Sequence, residues 1–493
     1  MHDLRIGTSR QFSAWRLRPR ALAVRATETW RRRGPGERLA LAGLLVLLAG
    51  ALAVRVWLMV FYGPAFVGFG DSHEYVHAAA SGVFSDAQKP AGYPIFLRLL
   101  HLFDDRLSFT IAVQHGLGVA AGLLLYGAVR RTGAPPWLGL LPAAVAFFAG
   151  GGPLLEHSLL ADGPFAFLQA LVVYAAVRAL SESGLRWAVI AGVAGGASFW
   201  LKTVGLSSAA IIPLVLLLAA NGNVRQRASS AAAAAFVGLV VILAYPAVQG
   251  QATGYWGYER QGAWNLYGRV ATFVDCSTFT PPAGTRFLCP GEPVARRRAE
   301  SFYQYARAAP AVRRFGGPAH APSYADALLQ SFSVAAVEHE PLAYAGAIVR
   351  GLTYFVTPRA GEGYTPSSLR EALLDPKGVT SAEPAISGYF TRRDSGYAGP
   401  ASSTRALASY DENTRVQGWL LILLLLAAVV GTPLLASRAR PAAALFTLTA
   451  IGSATLAVAG NSYDARYAYP ALGPLAAGAA LGAWGVYARV SRR

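Results

Sequence analysis

The sequence predicts an α-helical polytopic membrane protein, and three observations support this fold class. Of its 493 residues, 54% are hydrophobic and only 14% are charged, against roughly 25% charged in an average soluble domain. The apolar residues fall in blocks of roughly 17 to 24, which is long enough to cross a bilayer as helices. Basic residues collect in alternate short segments between these blocks, as membrane topology requires.

Ten spans are predicted. The first begins at Leu39 and continues to about Tyr62, which is too far for a cleaved signal peptide. The blocks at 136–152 and 187–201 are short and rich in glycine. The spans are placed at residues 39–62, 109–129, 136–152, 158–178, 187–201, 204–220, 229–248, 417–436, 441–460 and 469–487.

The distribution of basic residues predicts the orientation of these spans. Ten spans put both termini on the same side of the membrane. On that side, the basic arm at 1–38 and the short segments together carry 21 Arg and no Lys. The short segments on the opposite side carry only five Lys and Arg. The positive-inside rule therefore predicts cytoplasmic termini. Because the net charge of +18 belongs largely to this pattern, no nucleic-acid partner is expected. The arm itself would be solvated or would bind lipid headgroups.

The chain divides into four parts. The arm is followed by an N-terminal transmembrane module at 39–248 with an outer loop at 63–108, an extracytoplasmic domain at 249–415, and C-terminal transmembrane helices at 416–493. Within the domain, helices are expected at Pro293–Arg307 and Tyr324–His339. The apolar stretch 341–357 is interpreted as an interfacial, re-entrant or paired membrane element, because one extra span would invert all that follows.

The two cysteines, Cys276 and Cys289, both lie in the predicted extracytoplasmic domain. An even pair outside the cytosol favours a disulfide, although two buried free thiols are the alternative. No CxxC or HxxxH pattern accompanies them, so a zinc site is not indicated.

The first outer loop carries the strongest candidate site. It contains Asp71, Glu74 and Tyr75, which would share one face of a helix by their i, i+3 and i+4 spacing. The two carboxylates would then be close enough to raise one pKa or to share a cation. The alternative is that Asp71 only caps the N-terminus of the helix.

Other ionisable residues are predicted at the same side of the bilayer. Charged groups at membrane depth are costly and usually functional, although for each alone a snorkelling or interfacial charge is the alternative. Convergence on one side is stronger evidence than any single residue. These residues are Glu156, His157, Asp162, Lys202 and the segment 461–467, which includes Asp464, Arg466 and Tyr467.

Four short motifs carry a resemblance to a known superfamily. They are Gly-Asp-Ser-x-x-Tyr at 70–75, Lys-Pro-x-Gly-Tyr-Pro at 89–94, Ser158–Phe165, and Asp-Ala-Arg-Tyr at 464–467 followed by Pro470. Their order resembles the GT-C membrane glycosyltransferases, nearest to the protein mannosyltransferases and lipid A aminoarabinose transferases of glycosyltransferase family 39. The resemblance covers 39–250 and 417–487, while 249–415 resembles only actinobacterial members with a similar two-cysteine stretch.

This resemblance implies a GT-C-like bundle of about 10–12 helices with a small extracytoplasmic domain, in a bacterial plasma membrane. It implies an inverting hexosyl- or pentosyltransferase that moves a sugar from a polyprenyl-phosphate donor to an extracytoplasmic glycan, glycolipid or protein. Asp71 would be the general base on the acceptor hydroxyl. Where many protein mannosyltransferases have adjacent acids, this sequence reads Asp-Ser-His-Glu, so the acceptor class stays open.

The remaining roles follow from the same resemblance and from residue type. Basic side chains would stabilise the leaving phosphate, and Mg or Mn is an optional cofactor with Asp71 and Asp162 as candidate ligands. The phosphate-binding candidates are Lys89, Arg466 and Lys202. The candidates for acceptor or sugar contact are Glu74, Tyr75, Tyr93, His157, Asp162 and Tyr467.

Two other functions compete with glycosyl transfer. A transporter would place charges near the bilayer midplane, often on broken helices in matching halves. Here the charges cluster at one interface and no second half repeats the first. A non-catalytic envelope-assembly or polymer-ligation protein, using the large domain for binding, is the other alternative.

Overall fold

The computed structural model describes residues 34–492 apart from 86, 150, 183, 360–361, 391–400 and 437, and gives only the backbone of 401–403. Seven of the described helices are long and apolar enough to cross a membrane, and two shorter apolar helices lie at Pro136–Phe148 and Thr203–Ala219. The predicted α-helical polytopic membrane fold is confirmed. Most of the predicted basic arm, residues 1–33, lies outside the described residues.

In the N-terminal half a helix lies at each predicted span, and four of these helices are among those long and apolar enough to cross a membrane. Its helices are α1 (Pro35–Phe61), α2 (Gly70–Ser81), α3 (Gly92–His101), α4 (Leu107–Arg130), α5 (Leu140–Phe148), α6 (Gly152–Glu156), α7 (Asp162–Ser181), α8 (Arg186–Leu201), α9 (Leu206–Ala219) and α10 (Val224–Thr253). A 3-10 turn at Pro136–Gly139 lengthens α5, and another at Thr203–Gly205 leads into α9. The first seven predicted spans therefore correspond to α1, α4, α5 and α7–α10.

The region between the two groups of spans is also helical. It contains α11 (Gln261–Ala271), α12 (Glu300–Tyr305), α13 (Pro310–Phe315), α14 (Ser323–His339), α15 (Pro341–Thr353), β1 (Gly363–Tyr364), α16 (Pro366–Leu373), α17 (Pro376–Tyr389) and α18 (Ala401–Thr414). The last group comprises α19 (Gly418–Gly431), α20 (Arg440–Gly460), β2 (Tyr463–Asp464) and α21 (Tyr469–Val490). We call the end of the bundle that carries residues 254–417 the domain end.

Within the domain, the helix predicted at Tyr324–His339 is present as α14, but the one predicted at Pro293–Arg307 is wrong. Only a 3-10 turn at 294–296 and the short α12 form there. Between them the backbone is extended at Arg297 and Ala299, and Arg298 N donates to the Tyr303 hydroxyl (3.3 Å) instead of to a helical carbonyl.

Two further predictions for the domain concern the apolar stretch 341–357 and the cysteine pair. The stretch 341–357 contains α15, whose 13 residues rise about 20 Å and fall short of a hydrocarbon core of about 30 Å. It is not among the helices long and apolar enough to cross a membrane, and its interpretation as an interfacial, re-entrant or paired element stays a prediction. Cys276 and Cys289 form a disulfide with a Cα–Cα distance of 6.0 Å, as predicted.

Small residues bring the spanning helices close together. A Cβ at Gly192 of α8 would lie 2.5 Å from the Ala234 carbonyl oxygen of α10, so these two helices touch backbone to backbone. Close packing of this kind is how helices associate in lipid, where burial of apolar surface gives little driving force. A separate buried cluster, which includes Tyr62, Phe66 and Tyr75, packs α2 and α3 onto the domain end.

A buried polar network links four helices near the domain end. Glu156 of α6 accepts hydrogen bonds from Arg55 Nε (2.9 Å) and Nη2 (2.8 Å) of α1 and from the Tyr469 hydroxyl (2.8 Å) of α21. His115 Nδ1 of α4 lies 3.1 Å from the same carboxylate. Because a buried carboxylate is tolerated when its acceptor sites are filled by such donors, this network ties the helices together.

The short strands β1 and β2 pair in parallel, joining Gly363 to Tyr463 and Tyr364 to Asp464. Gly363 has φ +115°, and a Cβ there would lie 1.8 Å from the Tyr463 carbonyl oxygen. Only glycine fits this position without distortion. The pairing fixes the segment that immediately precedes Arg466.

Candidate functional site

Asp71 lies in the first turn of α2, at the domain end. The helix begins at Gly70, and its N-cap, Phe69, makes no side-chain capping hydrogen bond. The Asp71 side chain instead turns to two cations, so the N-cap alternative is not what the structure shows. A carboxylate in the first turn is also favoured by the helix dipole. Asp71, Glu74 and Tyr75 line the same cavity, as their spacing predicts.

Two cations from distant parts of the chain hold the Asp71 carboxylate. Lys89 Nζ lies 2.9 Å from Oδ1, and Arg466 Nη1 donates to Oδ2 at 2.7 Å. Lys89 also lies 3.7 Å from Glu74 Oε2. The Asp71 side chain is 13% exposed, so these pairs are shielded from bulk water but still reach the cavity.

The two cations set the protonation state of Asp71. Burial alone would raise the pKa of this carboxyl, but the charges and hydrogen bonds of Lys89 and Arg466 outweigh burial and hold the pKa well below its usual value of 3.8. Asp71 is therefore ionised near neutral pH. The prediction that its pairing with Glu74 would raise a pKa does not apply to Asp71, because Lys89 stands between the two carboxylates.

Local packing explains how Lys89 and Arg466 reach Asp71. A Cβ at Gly92 would lie 2.2 Å from the Trp200 carbonyl oxygen, and Ala91 N donates to the Tyr245 hydroxyl at 2.9 Å. The Lys-Pro-x-Gly segment is thus pressed against the ends of α8 and α10. On the other side, Asp464 accepts from the Arg466 backbone N (3.0 Å) and Nε (2.9 Å) and orients the guanidinium.

A second ion pair extends the site. Lys202 Nζ contacts Asp162 Oδ1 at 2.5 Å. The Tyr467 ring lies between the two halves, with Lys202 Nζ 5.3 Å and the Arg466 guanidinium carbon 5.5 Å from its centroid. Burial lowers the pKa of Lys202 despite the opposing charge of Asp162.

These groups surround a large cavity of 1310 Å³ at the domain end. Its walls include Leu201, Val204 and Leu456, at the ends of spanning helices, as well as Trp256 and Tyr305 of the domain. The cavity therefore extends from the ends of the spanning helices into the domain. Pockets for a single drug-sized ligand measure about 300–1000 Å³, so the volume suits two substrates at once.

Not every predicted site residue reaches this cavity. Asp71, Glu74, Tyr75, Lys89, Lys202, Arg466 and Tyr467 line it, and Asp162 lies directly behind Lys202. Tyr93 is fully buried and donates to Gln114 Oε1 at 2.7 Å. His157 is also fully buried, with Nδ1 3.0 Å from His115 Nε2, and burial lowers its pKa to about 3. Both side chains belong to the packed wall and neither lines this cavity, so the acceptor or sugar contact expected of Tyr93 and His157 stays a prediction.

Several residues at the site were not singled out as site residues from the sequence. Glu259 lines the cavity and accepts from the Thr203 hydroxyl at 3.2 Å, and burial raises its pKa. Phe69 lies under Arg466, 4.6 Å from ring centroid to guanidinium carbon. Glu259 follows the aromatic run Tyr255–Tyr258 directly after α10, and an acid beside aromatics at the end of a span is a signal that could have identified it.

The predicted divalent-cation ligands do not suit a metal as they stand. The Asp71 carboxylate is already held by Lys89 and Arg466, and Asp162 by Lys202. Across the described part of the chain, no group of three or more His, Cys, Asp or Glu side chains could hold a metal ion. A divalent cation at either carboxylate would have to displace the positive side chain that is already paired with it.

Comparisons with known proteins are sparse. No protein-family model matches the sequence, and no curated protein matches it. Among solved structures, the oligosaccharyltransferase of Archaeoglobus fulgidus in the apo form is similar, with a TM-score of 0.43 and 14% identity, over 92% of this chain and 51% of that chain. The chain thus spans about half the length of that protein. Similarity at this level carries neither the site nor the activity over.

Proposed function

We propose that this protein is an inverting glycosyltransferase of the GT-C type that moves a sugar from a polyprenyl-phosphate donor to a hydroxyl acceptor. The observation that carries this proposal is the Asp71 carboxylate, ionised and flanked by Lys89 and Arg466 in one cavity at the membrane boundary. A base beside two phosphate-binding cations is what such a transfer needs.

The chemistry divides between the two kinds of side chain. The acceptor oxygen attacks the anomeric carbon, and its proton passes to the Asp71 carboxylate. The bond between the anomeric carbon and the phosphate oxygen breaks, and the electron pair leaves with the phosphate. Lys89 and Arg466 stabilise this growing negative charge, the guanidinium by two parallel hydrogen bonds where geometry allows. The products are the glycoside and polyprenyl phosphate.

Because of its ion pairs, the basicity of the Asp71 carboxylate would depend on whether the donor is bound. In the free protein, Lys89 and Arg466 keep the carboxylate a weak base. A donor phosphate between them would take over part of their hydrogen bonding and charge. The pKa of Asp71 would then rise towards the working pH, where a general base is most effective. Donor binding would in this way activate the base.

Other groups of the cavity wall suit the acceptor. Lys202 and Glu259 line the cavity, with Asp162 behind Lys202, and the aromatic side chains of Trp256 and Tyr305 belong to the same wall. Polar groups that hold hydroxyls, set beside aromatic rings, fit a carbohydrate or glycolipid. A protein acceptor is the remaining option. Glu74, 3.7 Å from Lys89, would orient the substrate near the base.

The orientation proposed for the chain follows from charge. The domain end would be extracytoplasmic and both termini cytoplasmic, because the basic residues of the arm and the short segments concentrate at the opposite end, while a long domain is translocated largely regardless of its charge. The donor would then reach the cavity from the outer leaflet, and the acceptor would be a component of the cell envelope of a bacterium. The plasma membrane is the location in this proposal.

The buried charges within the bundle give little support to the transporter alternative. Arg55, His115 and Glu156 are each at most 5% exposed, and they bond to one another. None of the three lines the 1310 Å³ cavity or either of two further cavities in the described part of the chain. A translocation path would instead place its ionisable groups on a water-filled cavity.

A lipid analysis tests the proposal. Deletion of the gene should cause a polyprenyl-phosphate sugar to accumulate, detected by mass spectrometry of the lipid extract, and a plasmid copy should reverse this. The copy with Asp71→Asn should fail to reverse it while reaching the membrane in normal amount. An unchanged lipid profile after deletion would count against glycosyl transfer from this donor class.

A further inference from the structure

A second cavity lies behind the wall that bounds the first. It measures 510 Å³ and is formed by α6, α16, the start of α19 and the start of α21. The wall consists of β2 and the 3-10 turn that follows it, residues 463–468. Tyr463, Ala465 and Ala468 face the second cavity, whereas Asp464 and Arg466 face the first. We call the second cavity the groove.

The polar side of the groove carries an excess of positive charge. The Asp411 carboxylate is paired with two guanidiniums, Arg370 Nη1 at 3.2 Å and Arg415 Nη2 at 2.9 Å, and both contact the same oxygen, Oδ2. One negative charge is thus shared by two positive ones. Arg415 Nε is buried and has no hydrogen-bond partner among the described residues. Each guanidinium contacts Asp411 through one nitrogen, and the Arg415 side chain is 28% exposed, so other N–H groups of the two arginines are available to a further anion.

The other side of the groove is apolar. It includes Leu154, Phe355, Leu421 and Leu472, of which the last two lie in the first turns of α19 and α21. Because these two helices have the composition of membrane spans, the groove lies at the ends of helices that are long and apolar enough to cross a bilayer. A free inorganic phosphate would make no use of this apolar half, whereas an amphiphile would fill both.

We propose that the groove binds the headgroup of an anionic membrane phospholipid, with its phosphate between Arg370 and Arg415 and its acyl chains along α19 and α21. Arginine suits this role because its planar fork can hold phosphate oxygens in pairs. Anionic headgroups are drawn to basic side chains near the membrane surface. The volume lies within the range of about 300–1000 Å³ typical of small-molecule sites.

This proposal does not depend on glycosyl transfer. The groove and the catalytic cavity share only the wall at 463–468 and have different charged residues. A lipid in the groove would support that wall from behind, and so would help to hold Arg466 against Asp71. The site is therefore an addition to the donor site rather than a part of it.

The test is thermal unfolding of the full-length protein in an uncharged detergent. Dioctanoyl phosphatidylglycerol is titrated against dioctanoyl phosphatidylcholine and inorganic phosphate. We expect phosphatidylglycerol to raise Tm with at least a tenfold tighter half-saturation than phosphatidylcholine, and inorganic phosphate to have no effect. Equal stabilisation by both lipids, or by inorganic phosphate alone, overturns the proposal.

Substitutions with opposite expected effects make the test specific. Arg415→Gln leaves Arg370 to pair with Asp411 and should weaken half-saturation by phosphatidylglycerol about tenfold. Asp411→Asn frees both guanidiniums and should tighten it, which a merely structural role would not do. The control Arg314→Gln, on the exposed side of α13, should match the wild type. Unchanged half-saturation in both groove variants, or loss of the effect in Lys89→Ala instead, contradicts the proposal.

Discussion

Replacing Asp71 by asparagine removes the proposed base while keeping the size of the side chain. Loss of a general base slows a reaction by about 10²- to 10⁴-fold. At 1.36 kcal/mol for each factor of ten, this is roughly 3 to 5 kcal/mol of transition-state stabilisation. We therefore expect turnover of Asp71→Asn to fall by at least a hundredfold.

The cost of the same change to folding should be smaller. Removing one partner of a fully buried ion pair costs about 3–5 kcal/mol, because the other charge is left uncompensated. After the substitution, Arg466 is still paired with Asp464 (2.9 Å) and Lys89 still lies near Glu74 (3.7 Å), so each cation retains a carboxylate partner. The expected loss of stability is about 1–3 kcal/mol, near that of an unsatisfied polar group.

The assay uses the polyprenyl-phosphate sugar that accumulates in the deletion strain as its donor. Release of polyprenyl phosphate is followed by chromatography, and the Tm of each variant is measured in the same detergent. Asp104→Asn is the matched control, since Asp104 lies in the same loop and is paired with Arg106 but does not line the cavity. Turnover of Asp71→Asn within threefold of the wild type, or an equal loss in Asp104→Asn, would show that Asp71 is not the general base.

Four further predictions address the same site. Arg466→Lys keeps the charge but cannot hold Asp71 and Asp464 with a planar fork, so turnover should fall about 10²- to 10³-fold, and wild-type turnover would contradict this role. Asp71 must be ionised to act, and its pKa is held below 3.8 in the free protein. Because donor binding should raise this pKa, kcat, which reports on the bound protein, should fall at a higher pH than kcat/KM, which reports on the free protein. If both fall at the same pH, donor binding does not change the pKa of Asp71. Gly363→Ala should lower both Tm and turnover, because it breaks the pairing of β1 with β2. The control Gly346→Ala should change neither, because no atom lies within 4 Å of the added Cβ. Equal behaviour of the two variants would show that the pairing of β1 with β2 does not support the site. Treatment with EDTA should leave the rate unchanged, and a loss restored by Mg or Mn would reinstate a metal.

The convergence of the site could be predicted from the sequence because it depends on topology. Asp71 and Arg466 are 395 positions apart, yet each follows or precedes a span at the same end of the bundle. Spans of known length with alternating direction are enough to bring such loops together. The helices of the bundle could also be predicted, because they follow from the length and composition of the apolar blocks.

The packing behind the cavity could not be predicted in this way. Nothing in the local sequence distinguishes Tyr93, which packs inside the wall, from Tyr75, which lines the cavity. Their positions depend on which face of α2 and α3 meets α4. The β1–β2 pairing likewise joins residues 100 positions apart through two hydrogen-bonded pairs, too short to leave a periodic pattern in the sequence.

The most direct test of the central claim is a cryo-electron microscopy structure of the protein with farnesyl phosphate, a short analogue of the leaving group. We expect a phosphate within hydrogen-bond distance of Lys89 Nζ and the Arg466 guanidinium, on the face of the cavity that presents the Asp71 carboxylate. A phosphate found only in the groove beside Arg370 and Arg415, or no phosphate in the cavity at saturating ligand, would contradict it.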